Sequence, residues 1–79
     1  MASQVKIQNV GVIGYGMSAI VFHIPLIQTT PSFRLAAIVQ RTPVPGNSAP
    51  DDHPDAKHYT STSTLFADPT IDVVVVTTP

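Results

Sequence analysis

The chain contains no cysteine. Disulfides and thiolate metal sites are thereby excluded as staples, and the composition is compatible with a reducing compartment. Charge is scarce as well: four Lys and Arg face five acidic residues, for a net charge of −1. No basic run offers the footprint of a nucleic-acid binder, whereas a small anionic ligand needs only a local positive field. The leading stretch Met1-Ala2-Ser3-Gln4-Val5-Lys6 lacks the apolar core of a signal peptide. No apolar run approaches the ~20 residues that cross a membrane. The chain reads as soluble and cytoplasmic, with neither membrane nor nucleic acid as a partner. At 79 residues it falls below the ~100–150 of a common domain, so it holds one domain at most. A chain this short buries only ~60–65% of its unfolded surface and is marginal without help. Internal repeats are also missing.

What is present is concentrated in Asn9–Ala19. Val10, Val12 and Ile13 supply a buried strand, Gly14 and Gly16 a turn, and Ala19 a small residue three positions later. This is the dinucleotide fingerprint G-x-G-x-x-G/A. Gly14 permits the tight turn, Gly16 lets backbone approach a pyrophosphate, and Ala19 lets the following helix pack closely on the strand. The first N–H groups of that helix and the positive end of its dipole then face the phosphates. Tyr15, Met17 and Ser18 complete the turn, where side chains border the ligand while backbone binds it.

The rest of the chain tests whether that motif has its proper context. Residues from Met17 to about Thr30 read as a helix whose stripe of Ile20, Val21, Ile24 and Ile27 faces a sheet. Pro25 lacks an N–H and clashes with the carbonyl of Val21, so a kink or early end is expected near Ile24. Thr29-Thr30-Pro31-Ser32 is a stop. Phe33–Val39 is a second strand, apolar enough to be covered on both faces. Asn9 to Arg41 therefore has the ~30-residue length of a strand–helix–strand crossover. Between Thr42 and Pro54, prolines and small polar residues allow no long helix, so the second crossover helix is reduced to a turn around Ala49–His53 or replaced by a loop. Ala56–Thr60 reads as a short strand. Thr62–Ala67 reads as a short helix capped by Ser61 or Thr62, and Ile71–Thr77 as a β-branched strand. The expected fold is α/β, a Rossmann-like parallel sheet of about four strands, incomplete, with a reduced second crossover helix.

Several stretches, in this order, carry a family resemblance. They are Val12–Ala19, Phe22-His23-Ile24-Pro25-Leu26-Ile27, Leu35–Arg41, His53-Pro54-Asp55-Ala56, and Leu65–Val76 followed by Thr77-Thr78-Pro79. Together they resemble the N-terminal domain of the Gfo/Idh/MocA oxidoreductases. The resemblance implies NAD or NADP on this domain and oxidation or reduction of sugars and polyols with a second, substrate-binding domain. It also implies that Thr77, Thr78 and Pro79 lie beside the nicotinamide half. The family's catalytic lysine sits in a Glu-Lys-Pro motif shortly after the Thr-Pro turn, and no such motif occurs here. Residues 1–79 are accordingly expected to be a truncated dinucleotide-binding domain, with no catalytic residue of their own and a sugar or polyol partner only in a full-length form. The same architecture leaves open a non-catalytic dinucleotide-sensing regulator like the yeast galactose repressor, or a non-functional truncated product.

The cofactor form turns on the end of the second strand. An NAD-type site places a carboxylate about 20 residues past the fingerprint, on the ribose 2′-OH. Here Gln40 holds that position, followed by Arg41 and Thr42. With no carboxylate to repel a 2′-phosphate and Arg41 able to grip it, NADP is favoured over NAD. The predicted cofactor-binding set is thus Gly14, Tyr15, Gly16, Met17, Ser18, Ala19, Gln40, Arg41, Thr42, Thr77, Thr78 and Pro79. His23 reads as a packed or capping histidine. His53 and His58 lack the ligand spacing of a metal site, and none is expected. Ser61, Thr62, Ser63 and Thr64 read as cap and turn chemistry.

Overall fold

The computed structural model describes residues 6–78. The expected cofactor contact at Pro79 lies outside the described residues. The elements follow in the order β1 (Gln8–Ile13), a π-helical segment (Ala19–His23) running directly into α1 (Ile24–Thr29), β2 (Phe33–Val39), α2 (Ala49–Asp52), β3 (Lys57–Tyr59), α3 (Thr62–Phe66) and β4 (Val73–Val76). Every strand pairing is parallel, and the order across the sheet is β3-β2-β1-β4. The chain winds outward from β1 to β3, then returns to add β4 on the other side. That reversal opens a crevice at the carboxyl ends of β1 and β4. The four-stranded parallel sheet is the one the sequence implies, and β2 matches its expected span residue for residue.

Alternation along β1 builds a core on both sides of the sheet. Val10 and Val12 meet Ala19, Ile24, Ile27 and Ile38 on one face. Ile13 meets Ala37, Val39 and Leu65 on the other. The first helix therefore covers one face and α3 the other, which is what apolar, doubly buried parallel strands require. Gly11 makes room for α3: a Cβ there would lie 2.8 Å from Leu65 Cδ1. Leu65 is fully buried, worth roughly 1.5–3 kcal/mol relative to an exposed side chain. Ser61 caps α3 by accepting from the Thr64 N–H at 3.3 Å.

The first helix departs from expectation in an instructive way. Residues 17–29 are helical without interruption, so Pro25 does not end the helix early. Instead the turns before it widen, with the Ile24 N–H bonding the Ala19 carbonyl five residues back. The irregularity falls at Ile24, where α-geometry resumes and Pro25 occupies the first turn, the position where its missing N–H is tolerated. The wide turn also rotates the apolar stripe. Ala19, Ile24 and Ile27 are buried, whereas Ile20 and Val21 are 40% and 53% exposed. The expectation that Ile20 and Val21 face the sheet is corrected, because an i+5 turn carries Ala19, not Ile20, onto the face of Ile24.

The second crossover helix is indeed reduced, to the single turn α2. The strands β3 and β4 are shorter than Ala56–Thr60 and Ile71–Thr77. At the start of β4, Asp72 is already held by Asn9, whose N–H donates to the carboxylate at 2.8 Å.

Candidate functional site

Two glycines shape the turn after β1, for different reasons. Gly14 has φ +105°, a left-handed backbone that side chains disfavour. A Cβ on Gly14 would lie 2.5 Å from Thr77 Oγ1 and 2.9 Å from Thr78 Cγ2. The Gly14 N–H donates to the Val39 carbonyl at 2.9 Å, and the Ile13 carbonyl accepts from the Thr77 N–H at 2.9 Å. The Thr77 hydroxyl donates to the same carbonyl at 2.8 Å. Gly14 is thus fixed against the ends of both β2 and β4.

Gly16 is unlike it. Its φ is not positive, and a Cβ added there would meet nothing within 4 Å. Nothing in the chain demands glycine at this position; a side chain would project toward open space beside the cleft. Among the described residues, the N–H groups of Gly16, Met17 and Ser18 meet no acceptor. They are the unsatisfied donors at the start of a 13-residue helical run, where the dipole is positive. Free donors, positive potential and no intervening Cβ fit a phosphate group.

The cleft over this turn has a volume of about 770 Å³. The turn itself, Val39–Thr42 after β2, Thr60–Thr62 after β3, Thr78 after β4, and Asn47 from the loop before α2 line it. All four carboxyl ends contribute. Among the described residues Arg41 is the one charged side chain lining it, is exposed, and has no ion-pair partner. The fit to a dinucleotide is good, with donors for the pyrophosphate at one strand end and an unpaired guanidinium at the next.

Gln40 and Tyr15 line the cleft but direct their polar atoms inward. Gln40 is 8% exposed, and its amide nitrogen donates to the Asn47 carbonyl at 2.8 Å and to Asn47 Oδ1 at 3.0 Å. Its oxygen accepts from the Ala49 N–H at 2.7 Å. The Tyr15 ring is buried and edge-on to His53 with centroids 6.0 Å apart. Its hydroxyl donates to Asp52 at 2.5 Å. Burial first, and the Asp52 carboxylate second, push the phenol up to about 12.

Of the predicted set, Gly14, Tyr15, Gly16, Gln40, Arg41, Thr42 and Thr78 line one cleft. Ala19 is fully buried and joins the helix to the sheet. Met17 and Ser18 stand at the helix start, and Thr77 is held by Ile13. His23 approaches Ser18 Oγ at 3.1 Å, a contact that the i+5 spacing of the π-turn creates. Sequence reasoning missed Asn47, Thr60, Ser61 and Thr62. The last three follow β3, and a parallel strand brings its carboxyl end to the same edge as the glycine turn. That topology is the signal that places them.

The model of the Gfo/Idh/MocA family, described as an oxidoreductase family with an NAD-binding Rossmann fold, matches residues 8–79. The chain belongs to that family. Among relatives of this Gfo/Idh/MocA chain, the scyllo-inositol 2-dehydrogenase (NADP(+)) IolW of Bacillus subtilis is 37% identical over 72 residues, covering 90% of this chain and 19% of that protein. The uncharacterized oxidoreductase YdgJ of Escherichia coli is 39% identical over 71 residues, covering 90% of this chain and 20% of its own length. Among solved structures, D-galactose-1-dehydrogenase from Rhizobium etli superposes with TM-score 0.71 at 28% identity, over 100% of this chain and 23% of that one. The chain spans about a fifth of the length of the curated relatives it matches. Residues 8–79 match the family's NAD-binding Rossmann fold.

Proposed function

We infer that the cleft holds NADP(H) in preference to NAD(H), in an oxidoreductase that acts on a sugar or polyol. The observation carrying the cofactor preference is Arg41, at the end of β2, which has no ion-pair partner and shares its cleft with no acidic side chain among the described residues. A 2′-phosphate there gains a charge-assisted, bidentate partner and meets no like charge. The free N–H groups of Gly16, Met17 and Ser18 hold the pyrophosphate, and Thr42 offers a hydroxyl beside Arg41. Thr78, at the end of β4, borders the nicotinamide half. When bound, the dinucleotide supplies the hydride acceptor or donor. The chain's residues bind and orient it, and hydride transfer is proposed only for a full-length form with a substrate-binding part. A sugar or polyol substrate is supported by the names of two relatives, an inositol dehydrogenase and a galactose dehydrogenase.

Titrating the chain with NADPH and NADH, before and after Arg41→Ala, tests the preference. Losing charge-assisted contacts of about 1.5–3 kcal/mol corresponds to roughly 10–100-fold weaker NADPH binding, with NADH nearly unchanged. Equal losses for both cofactors would remove Arg41 from this role.

A further inference from the structure

The loop between β2 and α2 is short of secondary structure and rich in proline, yet it is tied to the glycine turn by side-chain amides. Asn47 is the junction. Its backbone pairs with Val44 in both directions, N–H to carbonyl, at 2.9 and 3.1 Å around Gly46 at φ +83°. Its side-chain oxygen and its carbonyl both accept from Gln40, and its side-chain nitrogen donates to the Tyr15 carbonyl at 3.1 Å. Tyr15 is anchored again by its hydroxyl on Asp52, just past the loop. Gln40 closes the circuit through the Ala49 N–H.

We propose that Gln40 and Asn47 form a positioning clamp that locks the loop after β2 onto the phosphate-binding turn, so that cofactor choice rests on Arg41 and not on Gln40. Gln40 holds the fingerprint's carboxylate position, but both hydrogens of its amide nitrogen and its oxygen are engaged within the loop. It has nothing left to offer a ribose. A carboxylate in its place would face the two Asn47 oxygens that now accept from it, replacing two hydrogen bonds with repulsion. The usual exchange toward NAD therefore fails in this chain: Gln40→Glu loosens the clamp instead of recruiting the 2′-OH. The link to Asn47 also makes the two ends of the nucleotide cleft one rigid unit.

The clamp rests on the dinucleotide reading for its consequence but not for its existence, and amide hydrogen exchange of the ligand-free chain separates the two. Asn47→Ala should speed exchange both in residues 42–49 and in the turn at Tyr15–Ser18. Asn47→Asp keeps the acceptor for Gln40 and loses the donor to Tyr15, so faster exchange should be centred on the turn. Faster exchange confined to the loop in both variants overturns the clamp, even if the chain binds no dinucleotide. In titrations, Gln40→Glu should weaken NADH about tenfold through the lost pair of hydrogen bonds, and NADPH by more, because the new carboxylate also repels the 2′-phosphate. A Gln40→Glu chain that retains NADPH affinity, or gains NADH affinity alone, overturns the assignment. Failure of the unaltered chain to bind either dinucleotide defeats the functional reading and leaves exchange to decide the clamp.

Discussion

Gly14 and Gly16 lie two residues apart, and substitution should separate their roles. At Gly14 a methyl group meets Thr77 and Thr78, and φ +105° resists any side chain. Gly14→Ala should lower stability by more than the ~1 kcal/mol typical of a point substitution, read from the denaturation midpoint. At Gly16 a methyl group has no non-neighbouring atom of the described residues within 4 Å. Gly16→Ala should leave that midpoint within about 0.5 kcal/mol and still weaken dinucleotide binding. Loss of stability without loss of binding would make Gly16 structural. Tyr15 carries a pH dependence of its own. Its phenol titrates near 12 when folded against 10.0 otherwise, so its contribution is complete below pH 10 and is lost as pH rises toward 12. Denaturant midpoints should fall across that window, and Tyr15→Phe should flatten the fall; an unchanged slope would contradict the buried bond to Asp52.

At the scale of elements, α3 is short, and its grip on the sheet depends on Leu65 lying against Gly11. Leu65→Ala should cost about 2–5 kcal/mol, measured by chemical denaturation with an unchanged slope. A cost below 1 kcal/mol would show that α3 contributes little. Strands and caps of this kind were legible in the sequence because they are local. The apolar run of β2, the Ser61 cap and the proline-limited α2 each follow from a few neighbouring residues. The π-turn was not legible, since Pro25 announces a fault without saying whether the helix ends, bends or widens. Widening won, and with it the stripe moved from Ile20 to Ala19. Asn47 was equally hidden: an asparagine beside glycine reads as turn chemistry, and only folding shows its amide reaching Tyr15 and Gln40. Thr60, Ser61 and Thr62 needed the strand order before they could be placed.

At the scale of the molecule, the order β3-β2-β1-β4 brings the glycine turn, Arg41 and Thr78 to one edge from widely separated parts of the chain. The sheet supplies the frame, and the strand ends supply the chemistry. A ligand that binds only this folded frame must stabilise it by mass action, by about 2.7 kcal/mol at a hundredfold excess over its dissociation constant. Thermal melting of the chain with and without NADPH and NADH therefore tests the central claim most directly. NADPH should raise the midpoint more than NADH at equal millimolar concentration, with both above the free chain. A midpoint unmoved by either dinucleotide would contradict it.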